Sequence, residues 1–374
     1  MKPVDVLVLN NIGGGFDILV KRLPNPHETI MMKQMRLTED LSKGGNVAVA
    51  LARLGVSCAI IGKIGDDEAG KRDLGWMQAA GVDTGEVLVS PDVATGQGIG
   101  IIAENGDNIL ITGESSSEKL TWEEVQAAML RRRGAGYFIT GLEVRMPLVL
   151  RAIQLAKQLG MRVMFNPSPV PEGGLPAPLH DVDDFFVNEV EAQLLLGLPA
   201  AEIDNTFDPR GVCEALRARY QPARVFLTLG AKGSYCLDGR QFFFTPPVPV
   251  TAVDSCGAGD GYLAAVAANL VWGKPLPQAC RWAAGYSAYA VTQRECLPGY
   301  ASRATVEAFL AAADVTGDEK YRMRCGRIIK RVIGWASDNE WRIPEHYTSN
   351  WEPDLECNKA HPEDQFKPYG ATPG

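Results

Sequence analysis

The residue types between positions 254 and 260 fit two uses, phosphoryl transfer or the capping of a helix. The string is Asp-Ser-Cys-Gly-Ala-Gly-Asp, and an apolar segment of helical period follows it. Small residues at Gly257, Ala258 and Gly259 let backbone N–H groups approach an anion at a helix N-terminus. Phosphoryl transfer needs such donors, Mg²⁺, and a base on the attacking hydroxyl, a role open to the carboxylate of Asp260. A glycine turn with an aspartate cap is the structural alternative.

Two further motifs follow predicted strands. Residues 228–233, Thr-Leu-Gly-Ala-Lys-Gly, come directly after the apolar run Val225–Leu227. A strand that runs into glycines can hold a nucleotide, although a plain turn fits the same residues. Asn188 and Glu191 follow the run Asp184–Val187. Their amide and carboxylate oxygens, with water, suit Mg²⁺, but an ordinary helix start with early acidic residues has the same pattern.

The elements that position these motifs alternate between short β-branched runs and longer segments of helical period. This order predicts an α/β fold with a mostly parallel sheet covered on both faces, and ligands in such folds bind at the carboxyl ends of the strands. The predicted strands are Val4–Leu9, Ala59–Ile64, Tyr137–Thr140, Arg162–Phe165, Asp184–Val187 and Val225–Thr228. The predicted helices are Asn46–Leu54, Glu68–Ala80, Trp122–Arg132, Pro147–Leu159, Arg210–Arg219 and Tyr262–Val271.

Two stretches, from about residue 12 to 43 and from about 86 to 118, break this rhythm with alternating patterns punctuated by glycine. The pair Asn105-Gly106 inside the second stretch is a typical hairpin signal. We therefore predict a small β-sheet that projects from the α/β body as a lid over a cleft. The exposed edge of such a lid would suit a homodimer.

Charge and composition narrow the function classes. The formal net charge of the 374 residues is −8 and there is no long basic run, which argues against a nucleic-acid partner. The first apolar run is too short for a signal-peptide core or a membrane span, so we expect a cytoplasmic protein with no membrane partner. None of the eight cysteines forms a C-x-x-C pair, and we interpret them as buried thiols in a reducing compartment, without a metal or disulfide role.

The motifs in this order resemble the ribokinase (PfkB-type) family of sugar kinases. The string at 254–260 is similar to the family's D-T-x-G-A-G-D signature, with Ser255 in place of Thr. Residues 228–233 match the family's nucleotide loop, and residues 188–191 match its N-x-x-E motif. The resemblance spans about residues 3 to 312. It implies a ribokinase-like three-layer α/β/α sandwich with a small β-sheet lid, forming a kinase domain over residues 1–312.

The resemblance implies a role for each of these residues. Asp260 would be the catalytic base and Gly257, Ala258 and Gly259 the anion hole. Glu191 would act on Mg²⁺, largely through water. The residues implied to bind ATP are Asn188, Thr228, Gly230 and Gly233.

The substrate side of the resemblance rests on three segments. Gly44, Gly45 and Asn46 resemble the family's G-G-x-x-x-N-x-A segment, in which Asn contacts sugar hydroxyls; Leu41-Ser42 stand where the paired glycines usually lie. Asp17 is the candidate for the family's sugar-binding Asp, with a solvated turn aspartate as the alternative. Glu143, together with the segment 165–169, resembles ribokinase specifically, where the equivalent Glu bonds a pentose; an ordinary helix-start Glu is the alternative.

The end of the resembling region departs from the family. Around residues 283–300 the family has a side chain beside adenine and a Lys/Arg-Gly-Ala turn near a monovalent-cation site. Ala284 and the segment 294–296, Arg-Glu-Cys, occupy those places. Asp254 is the candidate ligand for a monovalent cation.

The tail from about residue 313 to 374 resembles a different family, the N-acylglucosamine 2-epimerase-type sugar isomerases. The resemblance rests on the segment 341–347, Trp-Arg-Ile-Pro-Glu-His-Tyr, on Trp351-Glu352-Pro353, and on the last eight residues, 367–374. Only a fragment of that family's α/α barrel is present. We predict a truncated, α-helical tail without isomerase activity.

These expectations lead to one principal hypothesis and two rivals. The principal hypothesis is the ATP-dependent phosphorylation of a small sugar, ribose-like or a ketose. A nucleoside kinase of the same fold is the close rival. A non-catalytic sugar- or nucleotide-binding protein is the rival from another class, favoured by the altered residues at Leu41-Ser42 and 294–296.

Overall fold

A computed structural model describes residues 3–104, 108–114, 116–198 and 207–316, with the short stretches 342–344 and 366–368. Its contacts divide the chain into two compact units. The first comprises Met1–Val248 and Ala252–Ala301, and the second comprises Pro249–Thr251 and Ser302–Gly374. The division after Ala301 falls before the predicted domain boundary at residue 313.

The secondary structure of the first unit follows the predicted alternation. Its strands are β1 (Val6–Leu9), β2 (Gly15–Val20), β3 (Met32–Thr38), β4 (Cys58–Gly65), β5 (Asp83–Ser90), β6 (Gly98–Ala103), β7 (Asn108–Thr112), β8 (Tyr137–Gly141), β9 (Arg162–Asn166), β10 (Asp184–Asn188), β11 (Arg224–Thr228), β12 (Ser234–Asp238) and β13 (Gln241–Thr245). Its helices are α1 (Ser42–Arg53), α2 (Glu68–Ala79), α3 (Trp122–Arg131), α4 (Met146–Gln158), α5 (Glu189–Leu196), α6 (Pro209–Tyr220), α7 (Ala258–Val271), α8 (Leu276–Ala290) and α9 (Cys296–Gly299). Short 3-10 turns occupy Ser116–Lys119 and Gly230–Lys232. None of the helices in the described ranges is both long and apolar enough to cross a membrane.

The main sheet of the described chain has nine strands in the order β13-β12-β11-β10-β9-β8-β1-β4-β5. The neighbours from β11 to β5 are parallel, and β12 and β13 add an antiparallel edge. The register places Gly141 beside Asn166 and Asn188 beside Thr228. The ends of β8 to β11, where the predicted motifs lie, therefore meet at one edge of the sheet.

Helices cover both faces of this sheet because its strands are apolar on both sides. On one face, Leu7, Leu9 and Phe138 pack in a single core with residues of α3, α4, α5 and α6. The alternate residues Val6 and Val8 are also buried. Helix α7 contacts α1 and α8, α1 contacts β1, β4 and β8, and α8 contacts β13. This arrangement is the predicted three-layer α/β/α sandwich, and the fold prediction is confirmed.

The lid is a separate four-stranded sheet in the order β3-β2-β6-β7. Strands β6 and β7 pair antiparallel as a hairpin would, while the predicted Asn105-Gly106 turn lies outside the described residues. The second predicted lid stretch, 86–118, begins earlier than the lid itself. Its first residues belong to β5, which pairs with β4 in the main sheet, because that run is an apolar edge strand rather than part of the hairpin.

Little of the second unit is described. Helix α10 (Arg303–Thr316) opens its main segment, and the strands β14 (Arg342–Pro344) and β15 (Phe366–Pro368) form an antiparallel pair. These six strand residues differ from the helical structure predicted for the tail. The rest of the tail from residue 317 lies outside the described residues.

Candidate active site

Helix α7 begins at the glycine-rich string that the sequence singles out. Gly257 precedes the helix with φ 68°, in the left-handed region, and a Cβ there would lie 2.8 Å from Sγ of Cys296 and collide with the hydroxyl of Tyr300. That hydroxyl donates a hydrogen bond of 3.1 Å to the carbonyl of Gly257. The first N–H groups of a helix have no partner in a preceding turn and can bind an anion. Gly257, Ala258 and Gly259 lie at this end of the helix, where the backbone N–H of Ala258 donates to the carbonyl of Ser255 at 3.3 Å.

Asp260 lies in the first turn of α7 and contacts α1. Its Oδ2 accepts a hydrogen bond of 3.3 Å from Nδ2 of Asn46, and its Oδ1 lies 3.7 Å from Nζ of Lys43. Oδ1 of Asn46 accepts the backbone N–H of Leu41 at 3.1 Å, which fixes the orientation of its amide. The structure therefore brings two predicted residues, Asp260 and Asn46, together with a lysine that no prediction singled out.

The charges around Asp260 oppose one another. Burial raises the pKa of Asp260, Lys43 lowers it, and the carboxylate of Asp40 raises it. In turn, the negative charge of Asp260 raises the pKa of Lys43, so that the ammonium stays protonated. A raised pKa makes a carboxylate a stronger base. The geometry thus fits an ionised Asp260 that can accept a proton beside a permanent cation.

Glu143 reaches the same place from the end of β8. Its Oε2 accepts the backbone N–H of Lys43 at 3.0 Å. Burial raises the pKa of Glu143 to about 8, although Lys43 opposes the shift. Residues 43, 143 and 260 therefore form one group, and the role of Glu143 in binding a sugar stays a prediction.

The departure from the family pattern at Leu41-Ser42 preserves a glycine-type backbone. Ser42 has φ 55°, in the left-handed region that favours glycine. Its hydroxyl donates to the carbonyl of Gly13 at 2.9 Å and accepts from Nδ2 of Asn11 at 3.2 Å. These contacts hold the start of α1, where Gly44 and Gly45 follow.

Gly44 and Gly45 lie in the first turn of α1, against the end of β1. A Cβ at position 44 would lie 2.9 Å from Cβ of Asn10 and collide with the carbonyl of Asn11. The close approach of these two segments therefore requires a residue without a side chain at position 44.

Asn188 and Glu191 form a reciprocal capping box at the start of α5. The side chain of Asn188 accepts the backbone N–H of Glu191 at 2.8 Å, and Oε2 of Glu191 accepts the backbone N–H of Asn188 at 2.9 Å. The same Oε2 accepts Nδ2 of Asn166 at 3.2 Å. The helix-start alternative is thus present in the structure. The capping box also fixes a partly buried amide and a 9% exposed carboxylate at the sheet edge.

The loop after β11 lies beside α7. Thr228 ends the strand, Gly230 begins the 3-10 turn, and Gly233 follows the turn. The next residue, Ser234, has its hydroxyl 2.9 Å from that of Tyr262 in α7. The predicted nucleotide loop and the helix that carries Asp260 are therefore neighbours.

Asp254 connects the segment 254–260 to the segment 294–296, which departs from the family pattern. Its two carboxylate oxygens accept backbone N–H groups from Cys256 and Glu295, each at 2.9 Å. A Glu295 carboxylate oxygen accepts the backbone N–H of Glu39 at 2.6 Å. The contacts give Asp254 a positioning role, and its role as a cation ligand stays a prediction.

Asp17 lies on the lid and is paired there. Its Oδ2 accepts two hydrogen bonds from Arg36, at 2.6 Å from Nη2 and 3.0 Å from Nε. Nη1 of Arg36 lies 3.6 Å from Oε1 of Glu295. Within the described ranges, Asp17 is joined to Arg36 rather than to Lys43 or Asp260. Its assignment as a sugar ligand stays a prediction.

Sequence reasoning missed Lys43 and Asn10. Lys43 stands between Ser42 and Gly44, and a cation inside a glycine-rich turn was the available signal. Asn10 is 5% exposed, and its Oδ1 has no hydrogen-bond partner among the described residues. An amide oxygen buried in this way at the end of β1 fits a hydroxyl donor of a ligand.

Comparison with known proteins places this chain in a family. The sequence profile described as pfkB family carbohydrate kinase matches residues 43–301. Mouse ribokinase is 30% identical over 68% of this chain and 78% of its own length. A bifunctional ribokinase/ribose-5-phosphate isomerase A of Fructilactobacillus sanfranciscensis is 28% identical over 72% of this chain, which spans 49% of that relative. The structure of Arabidopsis thaliana ribokinase complexed with ribose and ATP has the same fold, with TM-score 0.70 at 23% identity over 82% of this chain and 98% of that one.

The tail also has a match. The profile described as N-acylglucosamine 2-epimerase matches residues 292–374, which contain the predicted tail. The first match covers most of the chain and includes Lys43, Asn46, Glu143 and Asp260. The resemblance predicted from the string at 254–260 is thereby confirmed, and the chain belongs to the pfkB family of carbohydrate kinases.

Proposed function

We propose that this chain transfers the terminal phosphoryl group of ATP to a hydroxyl of a ribose-like sugar, with Asp260 as the general base. The observation that carries the proposal is the meeting of Asp260 with Lys43 and Asn46 at a helix N-terminus beside the 228–233 loop. The relatives support the substrate class, because they are named ribokinases and deoxyribokinases.

The sugar would lie between β1, α1 and the end of β8. Lys43 and Asn46 are donors there, and the orphaned Oδ1 of Asn10 is an acceptor. Glu143, whose pKa burial raises to about 8, accepts a backbone N–H and has a second oxygen to offer a hydroxyl. A set of donors and acceptors on adjacent elements suits a polyhydroxylated ligand.

Proton transfer is assigned to the carboxylate of Asp260. Asn46 holds Oδ2 by a hydrogen bond, and Lys43 lies farther away, near Oδ1. The attacking hydroxyl would give its proton to this carboxylate as its oxygen bonds to phosphorus. Lys43 keeps the base ionised before the transfer, since it lowers the pKa that burial raises. General-base assistance of this kind contributes about 10²–10⁴ in rate.

The phosphates would lie at the start of α7. Gly257, Ala258 and Gly259 would supply backbone N–H groups to the transferring group, and the helix dipole favours negative charge there. The nucleotide would lie along Thr228, the 230–233 turn and Asn188. The pairing of Asn188 with Thr228 across β10 and β11 supports this proposal.

Glu191 and Asn188 fit the ligand chemistry of Mg²⁺, because a carboxylate and an amide oxygen are fixed at the same sheet edge. Bound Mg²⁺ would neutralise charge on the phosphate oxygens. Both side chains also hold each other through the capping box, so we propose that they act on the ion through water. Asp254 stays the candidate ligand for a monovalent cation. We also propose a cytoplasmic location, where ATP is available.

We further propose a homodimer through the lid. One face of the lid sheet carries two rows of apolar residues that run across its four strands. Asp17 and Arg36 lie on the other face. Several of the apolar residues are exposed, among them Met35 at 49% and Ile111 at 53%, and an exposed apolar face of this kind favours protein association. The rows are Leu37, Phe16, Ile99 and Ile111, and then Met35, Ile18, Ile101 and Ile109.

Light scattering tests the dimer. Ile111→Glu should convert a dimer to a monomer because it buries a charge in the proposed interface, whereas Leu130→Glu, a change at an exposed apolar residue of α3, should leave the mass unchanged. A monomeric wild type, or a dimer in both variants, would reject the lid interface.

A substrate panel tests the activity. ADP release should be measured with D-ribose, 2-deoxyribose, fructose, 2-keto-3-deoxygluconate and adenosine, and the phosphorylated product identified by mass. We expect the highest kcat/KM with ribose or deoxyribose. Turnover of adenosine alone would select the nucleoside kinase, and saturable sugar binding without any phosphorylated product would select the non-catalytic binding protein.

A further inference from the structure

Two cysteines from distant parts of the chain meet beside the candidate active site. Sγ of Cys256 lies 3.1 Å from Sγ of Cys296. Oδ2 of Asp40 lies 2.8 Å from the sulfur of Cys296 and 3.6 Å from that of Cys256. The cluster adjoins the catalytic group, since the same Oδ2 lies 3.5 Å from Nδ2 of Asn46.

The geometry favours sulfur–sulfur chemistry over a metal site. Asp40, Cys256 and Cys296 offer three ligand atoms close together. Two thiolates on one tetrahedral Zn²⁺, each at about 2.3 Å, would hold their sulfurs about 3.8 Å apart. The observed 3.1 Å is shorter than that. The pair is instead within about 1 Å of the disulfide bond length of about 2.05 Å.

The two thiols differ in access. Cys256 is exposed, whereas Cys296 is 1% exposed. The hydrogen bond with Cys256, together with burial and the charge of Asp40, raises the pKa of Cys296, so that it stays a thiol. An accessible thiol beside a buried second thiol is the arrangement of redox-sensitive cysteine pairs.

We propose that Cys256 and Cys296 are a reversible oxidation site, in which a hydroperoxide converts the pair to a disulfide. The sulfur of Cys256 attacks one oxygen of the peroxide, the O–O bond breaks, and Cys256 becomes a sulfenic acid while the departing hydroxide takes the thiol proton to form water. The sulfur of Cys296 then attacks the sulfenic sulfur, and the S–H proton leaves with the hydroxyl as a second water. Two thiols and one hydrogen peroxide give one disulfide and two waters. Two external thiols, or one dithiol, reduce the disulfide to the two original thiols and are themselves oxidised to a disulfide.

The disulfide would act on the active site through Gly257, the residue after Cys256. The sulfurs must approach by about 1 Å, and a misplacement of about 1 Å at reacting groups can cost about 10²-fold in rate. The carboxylate of Asp40 also loses both of its S–H donors beside Asn46. This expected loss of activity rests on the proposed function, whereas the formation of the bond does not.

The test begins with peptide mapping of the full chain. Protein treated with hydrogen peroxide at graded doses should yield a peptide pair linked through Cys256 and Cys296, and dithiothreitol should remove the link. ADP release with ribose should fall at least about tenfold in the oxidised protein and return after reduction. Peptide mapping detects disulfide formation even if the chain has no kinase activity. The oxidation site and the kinase function can therefore be rejected separately.

Variants identify the pair. Cys296→Ser keeps a hydroxyl donor for Asp40 and should stay active but insensitive to peroxide over the dose that inactivates the wild type. Cys280→Ser is the matched control, because Cys280 and Cys236 form a second hydrogen-bonded pair that is wholly buried, and it should stay as sensitive as the wild type. If peroxide yielded only overoxidised Cys256 and no disulfide, the reversible oxidation site would be rejected. If the disulfide-linked protein stayed active, the proposed effect of the disulfide on activity would be rejected.

Discussion

The regions around Asp260 and around Asp17 each place a carboxylate beside a cation, and they differ in how completely the two partners satisfy each other. Asp17 accepts two hydrogen bonds from Arg36, one of them 2.6 Å long. Asp260 has Lys43 only at 3.7 Å and shares that cation with neighbouring acids. A saturated ion pair can position a lid strand. A carboxylate that must accept a proton needs an oxygen that is not already hydrogen-bonded to a cation.

The largest effect should come from Asp260→Asn. The amide keeps the shape of the side chain but cannot take the hydroxyl proton, so we expect kcat to fall by at least about 10²–10⁴. Steady-state ADP release with ribose measures the loss, and sugar binding by calorimetry should change little. Asp92→Asn, at an exposed position, is the matched control and should retain full activity. If Asp260→Asn kept its turnover, Asp260 would not be the general base.

A smaller effect, on stability, should come from Glu143→Gln. The folded-state pKa of Glu143 is raised to about 8, above its unfolded value. The folded protein therefore binds more protons than the unfolded chain between about pH 5 and 8, and stability falls as pH rises through this window. Glutamine cannot ionise, so the variant should be more stable than the wild type at pH 8, on the order of 4 kcal/mol.

Urea unfolding from pH 5 to 8 measures this difference. The wild type should lose stability across the window more steeply than Glu143→Gln. Glu123→Gln, at an exposed glutamate of α3, should follow the wild type. Parallel curves for the wild type and Glu143→Gln would mean that residue 143 does not bind a proton on folding.

The smallest effect should come from Asp17→Asn. Because the carboxylate is already paired with Arg36, its loss should cost about 0.2–1 kcal/mol of stability and change the KM for ribose by less than about fivefold. Initial-rate kinetics over a range of ribose concentrations measures KM. A KM raised tenfold or more with kcat unchanged would instead identify Asp17 as the sugar ligand and erase the contrast with Asp260.

Much of the α/β body could be predicted because its signals are local. Apolar runs and helical periods gave the strands and helices, and the glycines at 257 and 259 marked the start of α7. Contacts between distant residues could not be predicted. Lys43 meets Asp260 because α1 packs against α7, and Ser42, at the start of α1, adopts a left-handed backbone.

The ion pair between Asp17 and Arg36 also depends on strand register. The pairing of β2 with β3 sets Asp17 opposite Arg36, and neither residue shows this in the sequence. Cys256 and Cys296 likewise contact each other because Asp254 ties its own segment to Glu295. The interpretation of all cysteines as buried was wrong for Cys256, which is exposed because it lies in the loop before α7.

The most direct test of the central claim is the pH dependence of kcat/KM in the wild type and in Lys43→Gln. If ionised Asp260 is the base, activity should fall on the acidic side with an apparent pKa above the ordinary range of aspartate, because burial raises it. Removing Lys43, which lowers this pKa, should move the acidic limb to higher pH, while Lys71→Gln, on the exposed side of α2, should leave it in place. An acidic limb at the same pH in Lys43→Gln as in the wild type would contradict the account.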